Sequence, residues 1–203
     1  MASVLRSFGN FLHEELQIEA NNGGHTYVIV ESDIYSGIRE LRLMFDNKDD
    51  VLILRHDLQR LDKISRYFRY PFKGRTSSCD FVVLINDESR GLVLCFCEVK
   101  TSLSAGTGGR PSTEDHAMRQ IRCTEVFFEY LLRSYLLSRS GESSGLKISQ
   151  DRILRFLIHC SDDKAKTSAF DFDKNLWRVC IRSRVKGSIA TIPNAYEFFI
   201  DKL

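Results

Sequence analysis

The chain has 203 residues, 43% hydrophobic and 28% charged, and a formal net charge of +2. That fits one globular domain with a sizeable core and excludes a global field that demands a polyanion, so any nucleic-acid surface must come from local clustering. No apolar stretch approaches the roughly 20 residues needed to span a bilayer and no signal-peptide pattern opens the chain, so the expectation is a cytoplasmic protein with no membrane partner.

Ser3 to Ala20 reads as an amphipathic helix. Val4, Phe8 and Phe11 repeat at helical spacing, and Glu15 continues that stripe one turn later. A glutamate ending an apolar stripe is either a surface-edge residue or a group aimed at a site. Asn21-Asn22-Gly23-Gly24 carries stop chemistry for the helix. Three strand-like runs follow, His25 to Val30, Arg39 to Phe45 and Val51 to Arg55, separated by turn-forming stretches. Leu58, Leu61, Ile64 and Phe68 then mark a short helix whose other face carries Arg60, Lys63 and Arg66. Basic residues continue through Arg69, Lys73 and Arg75, interleaved with Tyr67, Phe68, Tyr70 and Phe72. Such a mixture suits phosphate contact and base stacking; a solvated face with inward-packed aromatics is the other reading.

The chemistry concentrates between Cys79 and Thr101. Two apolar runs, Phe81 to Ile85 and Leu92 to Cys97, flank the polar stretch Asn86-Asp87-Glu88-Ser89-Arg90-Gly91, which together read as a β-hairpin. With its centre near Ser89, the hairpin sets Asp80 across from Glu98. Strand parity puts Lys100 on the face of Glu98 and puts Cys95 and Cys97 on the opposite, core-facing side. Two carboxylates and an ammonium thus meet at one end of a mostly apolar sheet. Facing carboxylates repel, and buried charge must be paired or coordinate a metal. A divalent cation, Mg²⁺ or Mn²⁺, resolves the conflict, since Mg²⁺ is held by one or two carboxylates plus water and phosphate oxygens. Lys100 would orient the attacking water or stabilise the pentavalent phosphate. An edge-strand Asp and a surface Glu–Lys pair are the plainer alternative.

Thr101 to Thr113 is a Gly/Ser-rich connection expected to form a lid beside a cleft, with Arg110 touching substrate phosphate. A nucleotide-binding reading of this loop fails the P-loop pattern, because Arg110-Pro111 occupies the place of Gly-Lys. Ser112 to Arg139 reads as the longest helix, with capping chemistry at Ser112-Thr113-Glu114-Asp115 and a core stripe of Met118, Ile121, Phe128, Leu131 and Tyr135. Arg152 to Cys160 reads as a strand added beside the hairpin. Trp177 to Arg184 is a further strand whose alternating Arg178, Arg182 and Arg184 form a solvated or phosphate-facing side. Asn194 to Leu203 closes the chain as a short helix. None of the six cysteines has C-x-x-C spacing and the five histidines are scattered, so free thiols are expected and no histidine is assigned to a metal.

Asp80, an apolar strand, a turn, and a strand ending in Glu98-Val99-Lys100 resemble the PD-(D/E)XK nuclease superfamily. The resemblance is tight over about residues 75–125 and loose elsewhere, and Cys79 stands where many relatives carry Pro. It implies a restriction-endonuclease-like α/β fold: an α-β-β-β-α-β core with a mixed central sheet, flanked by helices and extra strands. One domain over 1–203 is expected, with a catalytic core at about 75–160 and an embellishment at about 25–57. The resemblance makes Asp80, Glu98 and the carbonyl of Val99 the metal ligands and Lys100 the catalytic lysine. It implies a first-helix glutamate near the metal, Glu15 with Glu14 and Glu19 as alternatives, and a glutamine on the long helix, Gln120. The Gln-x-x-x-Tyr signature of one branch is absent, since Thr124 stands at the Tyr position. The function implied is metal-dependent hydrolysis of phosphodiester bonds, DNA before RNA, with Arg66, Arg69, Lys73, Arg75 and Arg110 contacting the nucleic acid. The small size suggests a homodimer or a subunit of a larger complex. The competing expectation is an inactive nuclease-like module that binds nucleic acid or protein.

Overall fold

The computed structural model describes residues 4–21, 25–31, 36–46, 50–55, 78–106, 111–139, 149–160, 169–181 and 184–203. Within them the fold is mixed α/β, with three α-helices and two sheets that each combine parallel and antiparallel neighbours. Helix α1 (Val4–Phe11) leads through a 3-10 turn at Glu14–Leu16 to β1 (Ala20–Asn21), β2 (Thr26–Val30), β3 (Glu40–Met44) and β4 (Asp50–Arg55). The hairpin strands are β5 (Phe81–Asp87) and β6 (Gly91–Lys100), followed by α2 (Thr113–Ser138) and β7 (Ile153–His159). Then come β8 (Ala169–Asp171), β9 (Leu176–Cys180), β10 (Val185–Lys186), β11 (Ile189–Ile192) and α3 (Ala195–Ile200).

The hairpin lies inside a six-stranded sheet of order β4-β5-β6-β7-β9-β8. From β4 to β6 the neighbours are antiparallel, and β6, β7 and β9 run parallel. Strands β5 and β6 are covered on both faces, which is why their sequences are nearly unbroken apolar runs. Phe81, Val83, Ile85, Cys95 and Cys97 pack with Leu41, Leu43, Ala190 and Ile192 of the second sheet, whose order is β1-β2-β3-β11-β10. Val82, Leu84, Leu94 and Phe96 pack on the other face with Leu5 and Phe8 of α1 and Met118, Ile121 and Phe128 of α2. Phe128 takes the rings of Phe8 and Phe96 edge-on, each at a centroid distance of 6.0 Å. Each such fully buried apolar side chain contributes about 1.5–3 kcal/mol. The described residues are therefore layered as α1 and α2, six-stranded sheet, five-stranded sheet, with α3 packed into the core between the two sheets. No helix among the described residues is long and apolar enough to cross a membrane.

Two expectations need correction. The first helix stops at Phe11 rather than continuing to Ala20. The Gln17 side chain turns back to donate to the Gly9 carbonyl at 3.0 Å, and Ile18 N–H donates to the Ile53 carbonyl at 2.9 Å. The chain thus leaves the helix to satisfy the outer edge of β4, which an unbroken helix would leave open. The stretch 25–57 is also not a single embellishment. Its first two strands enter the second sheet, whereas β4 pairs with β5 from Asp50↔Asn86 to Arg55↔Phe81. The expected helix at 58–68 lies outside the described residues.

At the far end of the hairpin, Gly91 adopts φ +76°, a conformation that disfavours a Cβ, and closes the turn. Buried Asp87 anchors that turn by accepting from Ser89 N–H (2.8 Å), Ser89 Oγ (2.7 Å) and Arg90 N–H (2.5 Å), and from the Tyr196 hydroxyl. Arg90 donates in turn to the Ile200 carbonyl at 2.8 Å, so the turn and α3 are fastened together. Burial alone would raise the Asp87 pKa, but the bonds from Tyr196, Ser89 and Arg90 outweigh it and hold the carboxyl near 2. Asp87→Ala is expected to lower unfolding free energy by about 2–4 kcal/mol in urea titrations, because several donors lose a charged acceptor at once. As the folded pKa is depressed, this contribution is present above the ordinary value of 3.8 and is lost as pH falls towards about 2.

Candidate metal centre

The β5–β6 register ends with Phe81 opposite Cys97, and one further step places Asp80 across from Glu98. Parity turns both towards the helical layer, in line with Val82 and Phe96. Glu98 is fully buried, and Lys100, two residues on, forms an ion pair with its Oε1. Neither Glu98 oxygen accepts a well-formed hydrogen bond among the described residues, although the Asp80 amide lies close enough to favour the carboxylate. Asp80, half-buried, accepts through Oδ2 from the Val99 N–H at 2.6 Å. An extended residue points its N–H and C=O to the same side, so the Val99 carbonyl faces the Asp80 side as well.

Burial is the main influence on this group. It pushes Glu98 up to about 8, with Asp80 adding repulsion and Lys100 offsetting part of both. Burial likewise raises Asp80 to about 6, against the pull of the Val99 amide and Lys100, while Glu31 pushes further upward. For Lys100, burial disfavours the ammonium, but Glu98, Asp80 and Glu31 together outweigh it and raise the pKa. The lysine is therefore a cation shared among carboxylates, a donor rather than a base.

Helix α2 fixes the segment that carries Asp80. Its N-terminus is closed by a capping box between Ser112 and Asp115, as the sequence pattern led us to expect. Gln120 Nε2 donates to the Ser78 carbonyl at 2.9 Å, and Thr124 Oγ1 accepts from the Cys79 N–H at 2.9 Å. Gln120 thus grips the backbone just ahead of Asp80. Thr124, at the position where one branch of the resembling superfamily carries Tyr, holds the neighbouring peptide. Thr124→Val would orphan the buried Cys79 N–H. We expect a stability loss of about 1–3 kcal/mol in denaturant titration.

Beside Lys100 a cleft of about 360 Å³ opens between the end of β6 and the start of α2, lined by Thr101, Ser102, Ser104, Ser112, Thr113 and His116. Burial and the charges of Lys100 and Arg119 hold His116 below its ordinary pKa. Glu15, the first-helix glutamate that the resemblance implied, is instead exposed in the 3-10 turn, where its N–H donates to His13 Nδ1 at 3.3 Å. The acidic group that the sequence did not flag is Glu31, just after β2, which interacts electrostatically with both Asp80 and Lys100. Arg178 is paired with Glu114 of α2 at 3.1 Å. Arg66, Arg69, Lys73, Arg75 and Arg110 lie outside the described residues.

No family model, curated protein or solved structure matches the chain. Among the described residues, no three His, Cys, Asp or Glu side chains converge closely enough to hold an ion by themselves. The donor set that does fit a hard cation is two carboxylates and a main-chain carbonyl, with water supplying the remaining positions. The fully buried Glu98 is the group that such an ion would satisfy.

Proposed function

We propose that this chain is a divalent-metal-dependent phosphodiester hydrolase of the PD-(D/E)XK type, with DNA favoured over RNA as substrate. The observation that carries the reading is Glu98: a fully buried carboxylate, across from a second carboxylate, ion-paired with a lysine and with no well-formed hydrogen bond to either oxygen. A structural ion pair has no need of the extra, repelling Asp80, and the desolvation is uneconomical unless a cation binds. The described elements on the six-stranded sheet, taken in chain order, run α1, β4, β5, β6, α2, β7. That order agrees with the α-β-β-β-α-β core that the resemblance implies, with β8 and β9 as additions.

In this reading Asp80, Glu98 and the Val99 carbonyl hold Mg²⁺ or Mn²⁺. Such an ion would supply Lewis-acid stabilisation and activation of water there. Lys100 donates to the attacking water or to a scissile phosphate oxygen, held in place by Glu98. The Val99 amide orients Asp80, and Gln120 and Thr124 fix the peptide ahead of it. The hydroxyl-lined cleft beside Lys100 suits a phosphate next to the scissile bond. DNA is preferred because the resembling superfamily mostly cuts DNA.

The test is incubation with supercoiled plasmid, linear duplex, single-stranded DNA and RNA, each with Mg²⁺, Mn²⁺ or EDTA. Cleavage of DNA with either cation and none in EDTA is expected. Retained nucleic-acid binding with no cleavage of any substrate would replace this reading with that of an inactive binding module.

A further inference from the structure

Glu31 extends β2 by one residue, its N–H donating to the Arg39 carbonyl at 3.0 Å just past the Val30↔Glu40 pair. The loop end that follows is fastened to the strand carrying Lys100. Gly37 N–H donates to Thr101 Oγ1 at 2.7 Å, and Ser36 Oγ lies 3.3 Å from the same oxygen. Gly37 is what permits the approach, since a Cβ there would stand 2.7 Å from Thr101 Cγ2. The second sheet is thereby anchored next to Lys100, and it holds Glu31 in electrostatic contact with Lys100 and Asp80. Lys100 is ion-paired with Glu98 and lies within electrostatic reach of Asp80 and of Glu31 from the second sheet. Within that group, Glu98 is wholly buried and neither of its oxygens accepts a well-formed hydrogen bond.

We infer that Glu31 is a positioning residue of the site, an outer-sphere carboxylate that holds the water shell of a divalent cation bound at Asp80 and Glu98. The inference rests on the metal-dependent reading above. An outer-sphere role follows from the geometry, because no three acidic groups converge on one point among the described residues. It also suits Mg²⁺, which takes one or two carboxylates and keeps several waters. Those waters need acceptors, and a carboxylate is the strongest one available. Outer-shell partners of this kind orient the inner ligands, and losing one lowers metal affinity by about 10–100-fold. The attachment at Thr101 then has a purpose beyond packing: it sets the distance between Glu31 and the ion.

The experiment is calorimetric titration of Mn²⁺ into the metal-free protein, comparing wild type with Glu31→Gln, Gly37→Ala, Glu98→Gln and Glu129→Gln. Glu129 is exposed on α2 and paired with Arg133, so it controls for the loss of one surface charge. Thermal midpoints are read first, to establish that each variant is folded. Glu31→Gln, which keeps shape and removes charge, is expected to weaken Mn²⁺ binding by about 10–100-fold. Gly37→Ala should weaken it by displacing the loop, Glu98→Gln should abolish it, and Glu129→Gln should match wild type. Wild-type affinity in Glu31→Gln, with binding lost in Glu98→Gln, would overturn the role of Glu31 and leave the metal centre standing. No Mn²⁺ binding by the wild type would overturn the metal centre and this inference together.

Discussion

Glu98→Gln is expected to lower metal-dependent cleavage by roughly a thousandfold, the scale for removing a preorganised electrostatic group from a water-excluded site. The amide fills the same volume, so the apolar neighbours Phe96 and Leu157 keep their packing. What disappears is the negative charge that would hold the proposed cation, together with the ion-pair partner of Lys100. Lys100→Met tests the second of these effects separately. It removes the ammonium but keeps both carboxylates, so cleavage should fall while Mn²⁺ binding persists. Equal rates in wild type and Glu98→Gln would assign the activity to another site or to a contaminant.

Without divalent cation, the thermal midpoint is expected to fall as pH rises through the range set by Asp80 and Glu98. The ordinary values of these carboxyls are 3.8 and 4.5, and the folded chain raises them to about 6 and about 8. Between ordinary and raised values the native state binds more protons than the unfolded state. The contribution of these two carboxyls is therefore greatest below their ordinary values, declines through this window, and levels off above about 8. Lys100 does not reverse the trend, because its pKa is raised from 10.5 and it stays charged throughout. A divalent cation takes the place of the protons. At a hundredfold excess over its dissociation constant it adds about 2.7 kcal/mol, which is about 5–10 °C for a chain of this size. The increase should be large near pH 8 and small near pH 5, where protons compete. Circular-dichroism melts of wild type and Glu98→Gln, with and without Mn²⁺, check this. A flat wild-type profile indifferent to Mn²⁺ would remove the electrostatic basis of the site.

The hairpin and its charge cluster were legible because strand parity is a local rule. Once Phe81 to Ile85 and Leu92 to Cys97 are strands around a turn, Asp80, Glu98 and Lys100 have little freedom in where they point. Helix α2 was equally readable from its capping box and apolar stripe. The N-terminal stripe misled because Glu15 continues the helical spacing by sequence alone. The chain leaves the helix after Phe11, and Gln17 bridges to the β4 edge while its side chain reaches back to Gly9, a tertiary demand without a local signature. Glu31 was hidden for a similar reason. Its place depends on β3 pairing in parallel with β11, from Glu40↔Ile189 to Leu43↔Ile192, and on the Gly37–Thr101 contact. Neither leaves a periodic trace. Arg178 showed the opposite limit, since an alternating basic strand cannot reveal that Glu114 of α2 waits above it.

The most direct test of the metal centre is anomalous diffraction from crystals soaked in Mn²⁺. The account predicts a manganese peak bonded to one oxygen each of Asp80 and Glu98, at about 2.0–2.3 Å, with Lys100 displaced from Glu98 towards the water shell. Crystals saturated with Mn²⁺ that show manganese elsewhere, with Glu98 still held by Lys100 alone, would contradict it.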